Sequence, residues 1–261
     1  MSKLTGRKAL ITGATGNLGK IFADTLAELG ADLILVDLQG TDLGSLTTDL
    51  INRWGVSVES YHCDLEIQQE RADLVNKIKR SNKSLNILVN NAAFVGTSDL
   101  PGWAVSFEEQ SIDTWRRALE VNLTAIFDLC QGLHPLLKNS IGASIVNIAS
   151  IYGMYGPDLS LYEGTGMNNP AAYSVSKGGL IQLTRWLSTS IAPEIRVNAI
   201  APGGIYRNQP IEFVQRYESN TPLGRMAEGD DLKGALAFLC SDLSKYVSGQ
   251  VLAVDGAWGV W

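Results

Sequence analysis

Short apolar runs rich in β-branched residues alternate along the chain with longer segments in which apolar residues recur at helical spacing. Helices are predicted to begin near Leu18, Asp42 and Gln68. The alternation predicts βαβ units and therefore a parallel sheet with helices on both faces. Because no repeat or low-complexity linker interrupts it, we expect a single doubly wound α/β domain over 1–261. Its seven strands are predicted at 9–12, 33–36, 57–61, 87–89, 144–148, 197–200 and 251–254.

Two segments, 153–169 and 205–228, interrupt this rhythm. Both follow predicted strand ends, and ligands of open α/β sheets bind outside the carboxyl ends of the strands. Together with the connection after the fourth strand, they predict substrate loops at about 94–111, 152–170 and 205–228.

The composition of the 261 residues, with 45% hydrophobic and 18% charged residues, is ordinary for a packed globular chain. The formal net charge of −6 argues against a nucleic-acid partner, because phosphate backbones call for clustered Lys and Arg. No stretch reaches the roughly 18 consecutive apolar residues of a spanning helix, and no apolar segment follows the charged N-terminal residues. We therefore expect a cytoplasmic protein without a membrane partner.

The cysteines and histidines predict neither a disulfide framework nor a metal site. Cys63, Cys130 and Cys240 are odd in number and widely separated, which favours reduced thiols. His62 and His134 have no second ligand at a useful spacing. All five residues are interpreted as structural.

Three glycines mark the turn from the first strand into the first helix. Gly13, Gly16 and Gly19 lack side chains where backbone amides could approach a pyrophosphate at a helix N-terminus, although a tightly packed turn would also explain them. Asp37 ends the second strand at the spacing of a carboxylate that binds the adenosine ribose. A carboxylate repels a ribose 2′-phosphate, and residues 38–40 offer no compensating cation, so NAD(H) is favoured while NADP(H) is not excluded. The turn makes the predicted fold Rossmann-like.

Polar residues follow two further strands at the same edge of the sheet. Asp64 comes after the third strand and Asn90 ends the fourth. Both are candidate cofactor contacts, and both could instead be turn-forming Asx residues.

A Tyr-x-x-x-Lys pair supplies the candidate chemistry. Asn169 and Pro170 are predicted as the N-cap and first residue of a helix, which places Tyr173 and Lys177 on one face. Such a pair alone is typical of a solvated helix face. Ser150, however, closes the fifth strand, so its hydroxyl can face the same edge from a rigid element.

With these motifs, the chain resembles the short-chain dehydrogenase/reductase family over essentially its whole length. The resemblance is carried by the glycine turn at 12–19, Cys63-Asp64-Leu65, Asn90-Asn91-Ala92-Ala93, Val121-Asn122, Ile148-Ala149-Ser150, Tyr173-Ser174-Val175-Ser176-Lys177, Arg196-Val197-Asn198, Pro202-Gly203-Gly204 and the segment 249–256.

The resemblance implies hydride transfer between nicotinamide and an alcohol or carbonyl group. It implies Tyr173 as the acid/base, Lys177 as the residue that lowers the pKa of Tyr173 and binds the nicotinamide ribose, Ser150 as the donor to the substrate oxygen and Asn122 as support for a proton relay through water. It also implies a homodimer or homotetramer, for which the apolar segment 251–261 would suit a subunit contact. The implied cofactor contacts are Gly13, Thr15, Asn17, Leu18, Gly19, Asp37, Asp64, Leu65, Asn90, Ala92, Tyr173, Lys177, Pro202, Gly203 and Ile205.

The chain departs from the common short form of the family at several points. The Gly16-Asn17 spacing resembles the extended subclass, whereas 261 residues leave little room for that subclass's extra domain, so we assign the short form. Arg207 stands where a threonine is frequent, and Ala93 where a glycine is frequent. The long separation of Ser150 from Tyr173 indicates an insertion beside the site.

The predicted substrate walls mix aromatic, amide and carboxylate side chains, which suits a small, polyhydroxylated, sugar-like substrate. Arg207 could meet a substrate phosphate or carboxylate, and we favour instead a surface pair with Glu212. The insertion and the segment 221–227 resemble members associated with bacterial surface-sugar or flagellin modification. Two alternatives stay open: a nucleotide-sugar epimerase or dehydratase that uses NAD within one turnover, and a non-catalytic dinucleotide-binding sensor. The wall residues are Trp103, Glu108, Gln110, Tyr155, Asp158, Tyr162, Glu163, Asn168, Tyr206, Arg207, Asn208 and Gln209.

Overall fold

A parallel sheet of seven strands forms the centre of the computed structural model, which describes residues 3–95 and 100–261. The strand order is β3-β2-β1-β4-β5-β6-β7, and each neighbouring pair is parallel. All seven predicted strands are present, which confirms the doubly wound α/β prediction. The strands are β1 (Lys8–Thr12), β2 (Asp32–Asp37), β3 (Val58–His62), β4 (Ile87–Asn90), β5 (Ala143–Ile148), β6 (Ile195–Pro202) and β7 (Val251–Val254).

Helices connect the strands and cover both faces of the sheet. The α4 and α5 helices are joined by a π-helical turn, Glu120–Thr124. No helix in the described part of the chain is long and apolar enough to cross a membrane. The α-helices are α1 (Asn17–Glu28), α2 (Leu43–Trp54), α3 (Gln68–Ser81), α4 (Ile112–Leu119), α5 (Ala125–Lys138), α6 (Ala171–Ser190), α7 (Ile211–Ser219) and α8 (Lys233–Cys240).

Alternation along the buried strands divides the hydrophobic core into two layers. In β2, Leu33 and Leu35 join the cluster formed with α1, α2 and α8. Ile34 and Val36 face the other way and join the cluster formed with α3, α5 and α6. Strands that are apolar on both faces need cover on both sides, which is why the sequence reads as continuous apolar runs.

The strand order reverses at β1, whose neighbours are β2 and β4. This is the topological switch point, where a crevice opens beyond the carboxyl ends of the strands. Two hydrogen bonds close its floor: the Thr12 hydroxyl oxygen accepts from the backbone N–H groups of Asn91 and Ala92, each at 3.1 Å. The glycine turn and the end of β4 are thereby fixed against each other.

The start of α6 differs from the prediction by one residue. Pro170 holds the N-cap position with φ −69° and ψ 140°, and it makes no side-chain cap. Asn169 instead accepts a hydrogen bond from the Ser174 hydroxyl at 2.8 Å. The helix therefore begins at Ala171, one residue after the predicted first position, Pro170.

The two segments that interrupt the sequence pattern pack on each other, away from the sheet. Leu161 of the insertion is buried with Phe213, Val214, Tyr217 and Met226, and we call these five residues the cap cluster. The Arg216 guanidinium also donates to the backbone carbonyls of Ser160, Leu161 and Glu163, at 3.3, 3.3 and 2.6 Å. The loops predicted at 152–170 and 205–228 therefore form one structural unit.

Candidate active site

A cleft of about 710 Å³ lies beyond the carboxyl ends of the central strands. Its first part follows the glycine turn and the ends of β2, β3 and β4, and its second part lies under the cap cluster. We call these parts the dinucleotide half and the substrate half. The predicted loop 94–111 contributes Phe94, Val95 and Trp103, while its residues 96–99 lie outside the described residues.

The glycine turn leaves the N-terminus of α1 open to the cleft. Gly16 precedes the helix in an extended conformation, with no side-chain cap and no acidic residue in the first turn. The first amide groups of the helix therefore have no competing intrahelical or side-chain acceptor. This donor set fits a pyrophosphate.

Close packing explains two of the glycines. A Cβ atom at Gly19 would collide with the carbonyl oxygen of Gly13. Gly13 itself has φ +64°, and a Cβ there would lie 2.8 Å from Cα of Ala92. Side chains at either position would push the turn out of the crevice.

The Asp37 carboxylate lies at the cleft and is held by the glycine turn. One oxygen accepts from the backbone N–H and the hydroxyl of Thr15, both at 2.7 Å, and the other accepts from the Leu38 N–H at 2.8 Å. Thr15 is thus a direct support of Asp37. The arrangement fits a ribose, whose hydroxyl groups donate to a carboxylate.

The predicted contacts at the ends of β3 and β4 have different outcomes. Asp64 and Leu65 line the cleft, as does Ala92. Asn90 does not: its side chain is 1% exposed and donates to Asn147 Oδ1 at 2.8 Å, beneath the sheet edge. Successive strand side chains point to opposite faces, so Asn91 takes the cleft position instead and donates to the carbonyls of Thr12 and Gly13.

The sequence analysis also missed Arg117, which closes the dinucleotide half. Its guanidinium pairs with both carboxylate oxygens of Glu66 at 2.8 and 3.1 Å and lies 5.0 Å from the centre of the Phe94 ring. Only the amphipathic spacing of α4 could have indicated that this residue faces the sheet edge.

Ser150, Tyr173 and Lys177 line the cleft together, where its two halves meet. Ser150 follows β5, and its hydroxyl oxygen accepts from the Tyr152 N–H at 3.2 Å. Lys177 is 2% exposed, donates to the Ile148 carbonyl at 2.8 Å and lies 5.8 Å from the centre of the Tyr173 ring. The turn after Ser150 approaches α6 closely because residue 153 is a glycine. A Cβ atom there would lie only 2.6 Å from the carbonyl carbon of Lys177.

Burial dominates the electrostatics of this group. It raises the pKa of the Tyr173 phenol, while the hydrogen bond with Ser150 and the charge of Arg207 lower that pKa in part. Burial lowers the pKa of Lys177 to about 8. Ser150 and Arg207 are the side chains that lower the phenol pKa in this arrangement, the Lys177 ammonium donates to the Ile148 carbonyl, and the role of Lys177 toward Tyr173 that the resemblance implies stays a prediction.

Asn122 is buried in the π-helical turn and does not line the cleft. Its side-chain oxygen accepts from the Phe94 N–H at 2.6 Å, and its amide donates to the Phe94 carbonyl and the Ser176 hydroxyl at 3.1 and 3.0 Å. The side chain therefore fixes the end of the β4 connection against α6, beside Tyr173.

The segment after β6 forms the wall opposite Ser150. Pro202, Gly203 and Ile205 line the cleft, as does Arg207. The predicted pair of Arg207 with Glu212 is not formed, and within the described residues the Arg207 guanidinium has no carboxylate at ion-pair distance. The segment instead folds back through Gln209, which accepts from the Arg207 N–H at 2.6 Å and donates to the Ile205 carbonyl at 2.8 Å.

Comparisons with known proteins cover nearly the whole chain. A family model described as enoyl-(acyl carrier protein) reductase matches residues 13–258. The chain is 32% identical over 260 residues to a 3-oxoacyl-[acyl-carrier-protein] reductase of Aquifex aeolicus, covering 97% of this chain and 98% of the relative. It is 29% identical over 259 residues to the post-translational flagellin modification protein A of Campylobacter coli, covering 98% and 100%.

Two solved structures share the fold, and each of them contains a nicotinamide dinucleotide. A short chain dehydrogenase from Leptospira borgpetersenii with bound NAD+ has a TM-score of 0.84 at 32% identity, over 99% of this chain and 94% of that one. A putative NAD(P) dependent gluconate 5-dehydrogenase from Beutenbergia cavernae with bound NADP has a TM-score of 0.86 at 31% identity, over 98% of each chain.

Proposed function

This chain belongs to the short-chain dehydrogenase/reductase family and is an NAD(P)-dependent oxidoreductase, and we propose that it prefers NAD(H) and acts on an alcohol or carbonyl group of a small, polyhydroxylated substrate. The observation that carries this proposal is the position of Ser150, Tyr173 and Lys177 at the border between the two halves of one cleft.

The side chains of this protein have two kinds of role in the proposed reaction: some bind the substrate or the cofactor, and one transfers the proton. The nicotinamide ring supplies the hydride acceptor or donor when the cofactor is bound. The Ser150 hydroxyl holds the substrate oxygen, and the Tyr173 phenol moves the proton to or from that oxygen. Lys177 holds the nicotinamide ribose from the buried side of α6, and Asn122 positions α6 through Ser176. The remaining predicted cofactor contacts that line the cleft, from the glycine turn to Ile205, hold the dinucleotide.

The preference for NAD(H) is supported by the environment of Asp37. Its carboxylate is locked by Thr15 and Leu38, so it cannot swing away from a bulky ribose 2′-phosphate without losing three hydrogen bonds. Arg117, the cation of the dinucleotide half, is already paired with Glu66. A 2′-phosphate would therefore meet negative charge with no free cation supplied by the described lining of that half.

The substrate class is supported by the lining of the substrate half. Tyr152, Tyr162 and Trp103 provide aromatic surface there, and Asn168 and Gln209 provide amides. Aromatic faces beside fixed polar groups suit a ring or chain that carries several hydroxyls. Relatives named for gluconate oxidation and for flagellin modification point in the same direction.

A screen with both cofactors tests the proposal. Polyols, sugars and hydroxy acids are offered with NAD+ or NADP+, their carbonyl counterparts with NADH or NADPH, and absorbance of the reduced cofactor is followed. Net reduction of NAD+ by a polyhydroxylated substrate, at a kcat/KM above that with NADP+, is expected. Product formation from a nucleotide sugar without net NADH would favour the epimerase or dehydratase alternative. Cofactor binding without any turnover would favour the sensor alternative.

We also propose that the chain assembles as a homodimer or homotetramer. Exposed apolar side chains support this on α5 and α6, where Phe127, Val175 and Trp186 are 42%, 50% and 55% exposed, and on the segment 251–261, where Trp261 is 78% exposed. Light scattering that gives a stable monomer at working concentration would contradict the assembly.

A further inference from the structure

Arg207 is an unpaired cation at the catalytic end of the cleft. Its side chain belongs to the cleft lining, is exposed, and forms no ion pair within the described residues, although eleven such pairs occur elsewhere. The two other lining cations have assigned partners: Arg117 pairs with Glu66, and Lys177 donates to the Ile148 carbonyl and is proposed above to hold the nicotinamide ribose. Arg207 is therefore the cation of this lining with its donors still available.

The neighbouring polar groups of the substrate half are already occupied by the protein. Gln209 uses its oxygen on the Arg207 N–H and its amide on the Ile205 carbonyl. Asn168 accepts from the Asn169 N–H and donates to the Val105 carbonyl. The Tyr162 hydroxyl donates to that of Tyr152 at 2.9 Å. These groups shape the wall, whereas Arg207 is free to bind.

The backbone fixes the place from which Arg207 reaches into the cleft. The Tyr206 N–H donates to the Ala227 carbonyl at 2.8 Å, and the Gln209 hydrogen bonds close the turn on the other side. The charge of Arg207 also lowers the pKa of the Tyr173 phenol, so the guanidinium lies within electrostatic range of the proton-transfer group.

The carboxylates of the lining lie elsewhere. Asp37, Asp64 and Glu66 all border the dinucleotide half, and the described lining of the substrate half contains no acidic side chain. Arg207 is therefore the charged side chain that this lining presents to a substrate beside Ser150 and Tyr173, while Asp158 lies outside the lining and acts on Tyr152 and Tyr162.

From this juxtaposition we propose that Arg207 is a specificity-determining residue that binds a carboxylate of the substrate, while Ser150 and Tyr173 hold the reacting hydroxyl. The substrate class is then a hydroxy acid or its oxo acid, with a planar anion that matches the guanidinium fork. This inference rests on the proposed function, which it narrows from a polyhydroxylated molecule to an acidic one.

Two matched pairs of probes isolate the carboxylate. Lactate differs from propane-1,2-diol, and gluconate from sorbitol, only in carrying a carboxylate where the alcohol carries CH2OH. In the wild-type protein we expect kcat/KM with NAD+ to be about 10- to 100-fold higher for the acid of at least one pair, the range of a charge-assisted hydrogen-bonded contact. Arg207→Gln should remove that preference through KM, whereas loss of the charge that Arg207 supplies near Tyr173 should change kcat by the same factor for both members of a pair.

Arg116→Gln is the control variant, because it removes one positive charge from a side chain that is 73% exposed and does not line the cleft. It should keep the preference. The dissociation constant for NAD+ is measured for all three proteins. If Arg207→Gln weakens NAD+ binding and lowers both members of a pair equally, the guanidinium binds the cofactor pyrophosphate and the inference is overturned.

A binding measurement separates this inference from the proposed function. Calorimetric titration of each probe into the NADH-loaded protein requires no turnover, because an alcohol cannot reduce NADH. If the acid binds more tightly than the alcohol and Arg207→Gln abolishes this difference, the inference is supported even when no probe is oxidised. The absence of oxidation would count against the proposed reaction alone. Equal binding of both members in the wild-type protein, or no binding of either, overturns the inference, and turnover of the neutral alcohols would then leave the proposed function standing.

Discussion

The dinucleotide half and the substrate half of the cleft differ in what holds their residues in place. In the first half, backbone register does so: Thr12 lies opposite Val36 in the sheet, and its hydroxyl ties the end of β4 to the glycine turn. In the second half, side chains of the cap cluster hold two segments together away from the sheet. The register of the strands therefore fixes much of the first half, whereas the shape of the second half depends on a few side-chain contacts between two segments.

The largest effect is expected at the border of the halves. Tyr173→Phe removes the proton-transfer group, and general acid–base catalysis contributes about 10²- to 10⁴-fold in rate. We expect kcat to fall by that factor while the dissociation constant for NAD+ stays within twofold, since the aromatic ring of residue 173 and all other predicted cofactor contacts are kept. Steady-state kinetics and NAD+ titration measure this.

The control for that variant is Tyr246→Phe, because Tyr246 is fully exposed. It should behave as wild type. Turnover of Tyr173→Phe within threefold of wild type would exclude Tyr173 as the acid/base.

The second largest effect is expected for NAD+ binding, in the dinucleotide half. Gly19→Ala places a methyl group against the Gly13 carbonyl, and backbone atoms there cannot yield cheaply. We expect NAD+ binding to weaken at least 100-fold, with loss of thermal stability. Gly44→Ala is the matched control in α2, since the nearest atom to its Cβ is 3.8 Å away and alanine favours a helix by about 1 kcal/mol. Unchanged NAD+ affinity in Gly19→Ala would show that the turn is not closely packed around the cofactor.

Lys177, at the border between the two halves, is expected to lower the free energy of unfolding, because its charged ammonium is buried. Burial lowers its pKa from the ordinary 10.5 to about 8. The unfolded chain therefore holds this proton between pH 8 and 10.5 while the folded chain has released it, and stability rises with pH across that window by about 3 kcal/mol. Below pH 8 the cost of the buried charge is fully present.

Lys177→Met should remove both the charge and its pH dependence. At pH 7 we expect unfolding to require about 2 kcal/mol more than in wild type, after about 1 kcal/mol is lost with the hydrogen bond to Ile148. The difference should shrink above pH 8 and reverse at about pH 9.5, because wild-type stability rises by about 1.4 kcal/mol per pH unit in this window, as followed by urea unfolding at several pH values. The exposed Lys79→Met is the control and should show no such dependence. A constant difference across the window would contradict the buried-charge interpretation.

The smallest effect is expected for substrate KM, when the packing of the cap cluster over the substrate half is weakened. Phe213 is 5% exposed in the cap cluster, and Phe213→Ala leaves a cavity between the two segments. We expect KM for the substrate to rise about tenfold, or about 1.4 kcal/mol, with NAD+ affinity within twofold.

Val75→Ala provides the comparison in the core beneath the sheet. It should lower the unfolding midpoint without changing KM. Equal changes in KM for both variants would show that the cap cluster does not act independently of the main core.

Local sequence patterns were sufficient for the fold and for most of the residues that line the dinucleotide half. Apolar runs at 33–36 and 144–148 predicted buried strands, because strands covered on both faces carry few polar residues. Residues at strand ends then had to share one edge, which is why Gly13, Asp37 and Ser150 all line the cleft. Their roles toward cofactor and substrate remain predictions.

Side-chain direction and long-range packing could not be predicted in the same way. Successive side chains of a strand point to opposite faces, so an error of one residue places the wrong side chain at the cleft. Asn90 was predicted to lie there, but Asn91 does. The surface pair of Arg207 with Glu212 was also expected, but the Gln209 hydrogen bonds turn this segment differently. Nothing local indicated that Arg216 would join the insertion.

The joining of the insertion to α7 bears on how new specificities can arise in this scaffold. Since Arg216 reaches the carbonyls of Ser160, Leu161 and Glu163, and Leu161 is buried by Phe213, neither segment carries its shape alone. A chimera that takes only one of these segments from a relative would leave the Arg216 guanidinium without its carbonyl partners or Leu161 exposed to solvent. Exchanges of 152–170 and 205–228 must therefore be made together, and if the two segments determine substrate preference as we propose, two distant stretches of the gene encode it jointly.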